Sequence, residues 1–276
     1  MKRIRQIIFV GMLGMLVGVL SCSDKNKAEA KQPEAPKLES KPAAIAQPSA
    51  KPVTTVSPAE AANPGEAVAG ATRRLNDTPN YSWATSTVEA DGSASKLGTI
   101  QGKAEKGGVT WLSFVVSGLP VSVCKKGDKG AANALAGWQT FDELAQMGGT
   151  AAAVVRYLRS YQAPAGETAM LAGKVKELKA ADGAIAGELK DDAVQELLLM
   201  GSRQREGQEP PKTTDAKGAI KFWIQNGALT KVEIKVSGKI TAGDKESVIN
   251  RTTTVEIKDV GTTKIEVPDE AKAKLT

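Results

Sequence analysis

"LTKVEIKVSGKI", residues 229–240, alternates apolar and polar residues with a period of two. Val232, Ile234, Val236 and Ile240 fall on one side, Lys231, Glu233, Lys235 and Lys239 on the other. Successive side chains of a strand point to opposite faces, so this stretch predicts a long strand with one covered and one wet face. That is the pattern of an antiparallel sheet. Its neighbours repeat it. "AIKFWIQNG" (219–227) sets Ile220, Phe222 and Ile224 together ahead of an Asn-Gly turn signal, and "VINRTTTVEIKDV" (248–260) groups Ile249, Thr253, Val255 and Ile257. "KIEVP" (264–268) predicts a last short strand, and "PDEAKAKL" (268–275) a terminal helix started by Pro268.

Working backwards, strand signals recur at residues 80–90, 96–106, 108–118, 120–126 and 133–141, joined by turn-rich "DGS", "GG", "GLP" and "GDKG". A short helix over 66–76 precedes them, with Ala67, Ala71 and Leu75 on one face. The middle of the chain is helical. Thr140 and Glu143 have capping-box spacing ahead of "DELAQM". "TAAAVVRYLRSY" (150–161) places Val154, Leu158 and Tyr161 together, with Arg156 and Arg159 elsewhere. In "GKVKELKAADGAIAGEL" (173–189), Val175 and Leu178, with Leu171 just before, would suit a helix, but the Asp-Gly pair between two short apolar runs favours a hairpin. "DDAVQELLLMG" is a short helix with acids in its first turn, and "SRQREGQEPPKTTDAK" (202–217) a polar loop. These runs predict about eleven strands, with helices inserted after the fifth and the seventh. A sheet that long must curl. The expected fold class is therefore α+β: a strongly curved antiparallel sheet, a half-barrel, with a few helices covering its concave face.

The other end of the chain gives an address. "MKRIRQ" is basic, "IIFVGMLGMLVGVL" is apolar over 14 residues, and Val19-Leu20-Ser21-Cys22 follows. A permanent span needs about 20 apolar residues, so residues 1–21 read as an export signal. The close of that run resembles the lipobox of bacterial lipoproteins, which implies lipidation of the Cys22 thiol and cleavage just before it. Ser23 after the cysteine implies sorting to the outer membrane, facing the periplasm or the cell surface. Residues 22–64, rich in Pro, Ala, Lys and Glu, cannot bury enough surface to order themselves and read as a tether. At about 3.1 Å per residue its extended reach is on the order of 100 Å. Residues 65–276 are left for a single β domain.

Composition excludes several functions. The formal charge is +6, but removing Lys2, Arg3 and Arg5 with the signal leaves 34 basic against 31 acidic residues, a net of +3. That gives no argument for nucleic acid. Histidine is absent, and with it the commonest general base and metal ligand. No metal or cofactor site is expected. A Ser-x-x-Lys pair needs its lysine desolvated beside the hydroxyl; of the two such strings, "SASK" (93–96) lies at a turn and "SVCK" (122–125) on a strand ending in two lysines. No catalytic residue is expected, and no enzyme. With Cys22 acylated, Cys124 has no partner and reads as a small buried hydrophobe.

"GAIKFWIQNGALTKVEIKVSGKI" followed by "RTTTVEIKDVGTTKIEVPDEAKAKL" is similar to the closing strands of the LolA/LolB and LppX/LprG-type bacterial lipoproteins. "NYSW", "GWQTFDELA" and "RTTTVEIKDVGTTK" look closer still to an uncharacterised group of envelope lipoproteins. The resemblance implies an open, curved half-barrel whose inserted helices lid an apolar concavity, and carriage of lipids or of the acyl chains of lipoproteins. The residues expected to line such a groove are Trp111, Phe114, Trp138, Leu144, Met147, Val154, Leu158, Phe222 and Ile224. The expected function is a membrane-anchored envelope lipoprotein binding a lipid or other apolar ligand. The alternative is a structural or protein-interaction lipoprotein whose core is filled by its own helices.

Overall fold

The computed structural model describes residues 63–93, 98–116, 118–134, 137–199 and 209–275. The signal, Cys22 and nearly all of the tether lie outside them. The opening helix α1 (Pro64–Asp77) is capped by Asn63, whose side chain accepts from the Glu66 amide, and buries Val68, Ala71, Thr72 and Leu75. Then follow β1 (Asn80–Glu89), β2 (Ile100–Glu105), β3 (Val109–Val116), β4 (Leu119–Lys126), β5 (Lys129–Ala134) and β6 (Gly137–Thr140). Helices α2 (Phe141–Gln146), α3 (Gly149–Ser160) and α4 (Pro164–Ala172) come next, then β7 (Lys179–Ala181), β8 (Ala184–Glu188) and α5 (Asp191–Leu199). Three long strands close the sheet: β9 (Lys212–Gln225), β10 (Ala228–Ala242) and β11 (Lys245–Lys258). A short helix, α6 (Asp269–Ala273), follows.

The strands form one open, curved antiparallel sheet of 11, in the order β6-β5-β4-β3-β2-β1-β11-β10-β9-β8-β7. Each half is a run of sequential neighbours, and the β1–β11 pairing, Ser82 opposite Lys258 through Glu89 opposite Arg251, joins them. This order decides where the helices go. The chain leaves one edge at β6 and re-enters at the other edge at β7, so α2, α3 and α4 bridge the two across one face. Pairing register defines that inner face. Trp83 lies opposite Gly102 and Ile257, Gly102 opposite Leu112, and Leu112 opposite Val123. Phe222 lies opposite Val232, and Val232 opposite Val255. All of these apolar residues are buried.

Glycines on the inner face act as sockets. A Cβ on Gly102 would lie 2.0 Å from the Trp83 indole, and one on Gly130 would lie 2.4 Å from the Phe141 ring. A Cβ on Gly218 would lie 2.7 Å from Val194 of α5, and one on Gly238 2.8 Å from Leu198. A strand glycine commonly marks a close approach; here side chains are what approach.

The structure departs from the expected elements in four places. The predicted strand 133–141 belongs to two strands: β5 starts at Lys129, and β6 pairs back on it with Ala131 opposite Thr140. "KIEVP" is not a strand. Side chains hold it instead, with Lys103 Nζ donating to the Lys264 carbonyl (3.1 Å) and the Ile265 amide donating to Glu105 Oε1 (3.4 Å). The total of eleven thus stands through two errors of opposite sign. Residues 212–217 of the predicted polar loop belong to β9, pairing with the far end of β10 past a bulge between Ser237 and Lys239. Helix α4 was not anticipated, although Pro164 at its first turn is a helix-start signal. The Asp182-Gly183 and Asn226-Gly227 turns have φ of 49° and 72°, and 50° and 72°, values a two-residue hairpin of type I′ needs. The β7–β8 hairpin confirms that choice over a helix.

Candidate functional site

Burial along β1 locates the site. Tyr81 and Trp83 are buried between partly buried neighbours, but from Ala84 to Thr87 every residue is only partly buried. Across the seam on β11, Val255 and Ile257 are buried, whereas Arg251 to Thr254 are partly buried. The inward residues of this segment are Thr85, Thr87 and Thr253, with Arg251 at its far end; Thr85 lies opposite the buried Val255, Thr87 opposite Thr253 and Glu89 opposite Arg251. Burial therefore weakens just beyond Trp83, and a strip of the inner face over the middle of the sheet is only partly covered. From Trp83 to Thr87 it measures about 13 Å at the usual strand rise. Thr87 Oγ1 and Thr253 Oγ1 lie 3.0 Å apart and satisfy each other, which leaves their methyl groups for apolar contact. Beside the strip, Arg251 Nη2 donates to the Leu197 carbonyl near the end of α5 (2.5 Å). Phe114 is buried, and Val116 and Val121 are partly buried against the core.

The covered end of the strip is aromatic and polar. Trp83 Nε1 donates to Tyr161 Oη (3.1 Å), and the Ala165 amide donates to Tyr81 Oη (3.3 Å). Ring centroids are 5.5 Å apart for Tyr81 and Trp83, and 5.8 Å apart for Tyr157 and Tyr161. Burial, with a smaller push from Glu167, raises the Tyr157 hydroxyl to about 12. Tyr161 is driven up further, by burial first and then by Tyr157 and Glu167. Glu167 on α4 is packed round by protein atoms although part of its surface stays reachable. Its amide donates to the Ala163 carbonyl (3.2 Å), while its carboxyl has no hydrogen bond or ion pair among the described residues. Burial raises its pKa.

The sign of that shift is testable. A carboxyl whose pKa is raised by folding stabilises the fold while protonated and loses that contribution as pH rises from its unfolded value through its folded one. Glu167→Gln should therefore melt above the wild type at pH 8, with the gain disappearing at pH 4. Thermal melts at the two pH values check this; an equal difference at both would exclude it.

The structure divides the expected groove residues between environments. Phe114, Leu158, Phe222 and Ile224 are buried in the inner core; Leu144 and Val154 are partly buried against it. On α3 the fully buried companion of Leu158 is Val155, where the sequence reading favours Val154. Met147, at the end of α2, is 66% exposed. Trp111 and Trp138 project from the outer face, since Trp111 lies opposite Lys103 and Cys124, and Trp138 opposite Asn133. Their ring centroids are 5.6 Å apart. Cys124 is buried beside them, and burial with the nearby Glu105 raises its thiol to about 11, so it is a packing residue. A crevice of about 860 Å³ opens on the outer side of β1–β3, lined by Ser82, Gln101, Lys103, Trp111 and Lys264 among others. Its lining mixes Trp83, Trp111 and Ile265 with hydroxyl, amide and ammonium groups. Missing from the expected set are Trp83, Thr85, Thr87, Thr253, Tyr157, Tyr161 and Glu167, which form the strip and its end. Among the described residues there is no cluster of metal-ligating side chains, and no helix is long and apolar enough to cross a membrane.

No family model matches the sequence, and no curated protein matches it. Among solved structures the chain is similar to lipoprotein LppX of Mycobacterium tuberculosis, at 11% identity and a TM-score of 0.40, over 74% of this chain and 97% of that one. It is also similar to LprF of Mycobacterium bovis, at 9% identity and 0.40, over 75% and 97%. A DUF1329 family protein of Desulfovibrio piger is similar at 10% and 0.28, over 75% and 96%. LppX is one of the lipoproteins that the closing strands resemble.

Proposed function

We propose that this protein is an envelope lipoprotein, held to the outer membrane through lipidated Cys22, that carries a lipid or other apolar ligand on the open strip of its inner sheet face. The observation behind this reading is the loss of burial alternation from Ala84 to Thr87 on β1 and from Arg251 to Thr254 on β11, two stretches that meet where Ser86 and Thr87 pair with Thr254 and Thr253. A sheet filled by its own helices would keep burying every second residue along that seam. Energetics suits a carrier. A tail gains about 0.8 kcal/mol per CH₂ on leaving water, and it has that gain already in the bilayer. Transfer onto an apolar strip is then nearly neutral and reversible.

The test is native mass spectrometry of residues 23–276, purified without detergent and then offered dodecan-1-ol. A mass increase by one ligand is expected, and Thr87→Trp, which fills the strip, should remove it. A bare protein mass with no uptake would support the second reading, an interaction protein with a self-filled core. The cover over Phe222, Val232 and Ile234, all at most 5% exposed, favours that reading. Independently, Cys22→Ala should move the full chain from the membrane to the soluble fraction; unchanged membrane partition would overturn the anchor.

A further inference from the structure

We propose that the crevice on the outer side of β1–β3 is a second binding site, which takes a neutral carbohydrate chain stacked on Trp111. It is independent of the strip, which lies on the other face of the same sheet. The crevice holds about 860 Å³ between those strands and residues 262–266, which run on past the end of β11. Pairing register lays out its floor. Trp111 lies opposite Lys103 and Gln101 opposite Ser113, while Ser82 lies opposite both Lys103 and Lys258. Opposite residues on one face have Cβ atoms about 4.5–5.5 Å apart. A ring, an amide, a hydroxyl and an ammonium therefore stand together within reach of one sugar unit.

The aromatic surface here is braced and accessible. Trp111 and Trp138 lean on each other at 55°, with centroids 5.6 Å apart, and both are only partly buried. Cys124 and Ala131, which share this face with them, are fully buried, so the pair covers a small patch of the sheet without being covered in turn. The polar groups beside Trp111 have capacity to spare. Among the described residues the Gln101 and Ser113 side chains have no hydrogen-bond partner. Lys103 gives one hydrogen to the Lys264 carbonyl (3.1 Å) and keeps others. Ser82 donates to Asp259 Oδ2 (2.7 Å), which holds that carboxylate at the rim.

This combination selects the ligand. A pyranose has a face of C–H groups, which the negative face of an aromatic ring attracts, and a border of hydroxyls that both donate and accept. Trp111 answers the first, and Gln101, Ser113 and Lys103 answer the second. Charge selects a neutral chain, because Asp259 and Glu266 line the crevice together with Lys103, Lys258 and Lys264 and nearly balance them. A peptide strand is disfavoured: β1, β2 and β3 are each paired on both sides, so no free edge is present for it to extend.

The test is isothermal titration calorimetry of residues 23–276 with cellohexaose and chitohexaose, two neutral chains of β-linked pyranoses, and with anionic polygalacturonate. At least one neutral chain should bind with a Kd of about 1 mM or tighter, and the one preferred names the sugar. Trp111→Ala should weaken it about tenfold or more. Gln101 is exposed, so Gln101→Ala leaves the fold intact, and it should weaken binding about fivefold. Dodecan-1-ol uptake should be unchanged in Gln101→Ala. No binding of either hexasaccharide up to about 10 mM, an affinity unchanged in either variant, or a preference for polygalacturonate would each overturn the carbohydrate site and leave the strip standing.

Discussion

Replacing Gly102 with valine should remove most of the folding stability. The Trp83 indole lies flat against the Gly102 backbone, so that even a Cβ would come within 2.0 Å of its ring carbons and 2.6 Å of Nε1. These contacts are with the body of a ring that is 1% exposed and has buried neighbours on every side, not with the end of a flexible chain. The ring must therefore leave. Emptying the site of a large aromatic costs about 3–5 kcal/mol, and losing the bond to Tyr161 adds about 1 kcal/mol. Domains of this size hold about 5–15 kcal/mol in all. Urea titration followed by tryptophan fluorescence should show the midpoint collapsing for Gly102→Val. Trp83→Leu combined with Gly102→Ala should fare better than Gly102→Val, because the leucine leaves room for the new methyl. A Gly102→Val midpoint close to that of the wild type would mean that the indole is not held in this socket.

That coupling also shows why the fold was more legible than the site. "LTKVEIKVSGKI" states its own burial, because a half-covered strand needs only period-two alternation, and Val232, Ile234 and Val236 are buried as expected. Asp182-Gly183 and Asn226-Gly227 state their turns through the backbone angles they tolerate. The capping box also holds, with Thr140 Oγ1 accepting from the Glu143 amide and Glu143 accepting from that of Thr140. These are local rules. The sockets at Gly102, Gly130, Gly218 and Gly238 are pairwise and long-range, so a glycine in "TIQGKAE" does not announce an indole on the next strand. The groove candidates were chosen for being apolar, and that criterion finds packing. It selects Leu158 and Phe222, which are 0% exposed, and it places Trp111 and Trp138 on the wrong side of the sheet, because alternation fixes which residues share a face but not which face is inner. The open strip consists of threonines, and its end of tyrosines and a glutamate, so the residue types that leave a groove unfilled are those a search for greasy side chains passes over.

Lys125→Met should lower the melting temperature by about 10 °C, taking about 2–4 °C per kcal/mol for a domain of this size. "SVCKKG" reads as a strand ending in two lysines, and alternation sends Lys125 inward beside Val123, where it is 6% exposed. Its ammonium donates to the carbonyls of Leu158 (2.8 Å), Arg159 (3.2 Å) and Tyr161 (2.8 Å). The last carbonyls of a helix have no partner within it and carry its negative end. One ammonium with three donors therefore closes the end of α3 and pins it to the sheet. Burial pulls the Lys125 pKa below the ordinary lysine value, against an opposing pull from Asp128. Even so, breaking such a buried arrangement from one side typically costs about 3–5 kcal/mol. Methionine keeps the volume and leaves three carbonyls unanswered. Arginine should not rescue, since a planar fork cannot converge on three acceptors as a tetrahedral ammonium does. Hydrogen exchange in Lys125→Met should therefore quicken first in α3, at temperatures where the sheet remains folded. A melting point unchanged within a degree or two, or loosening confined to β4, would mean that the lysine does not latch this helix.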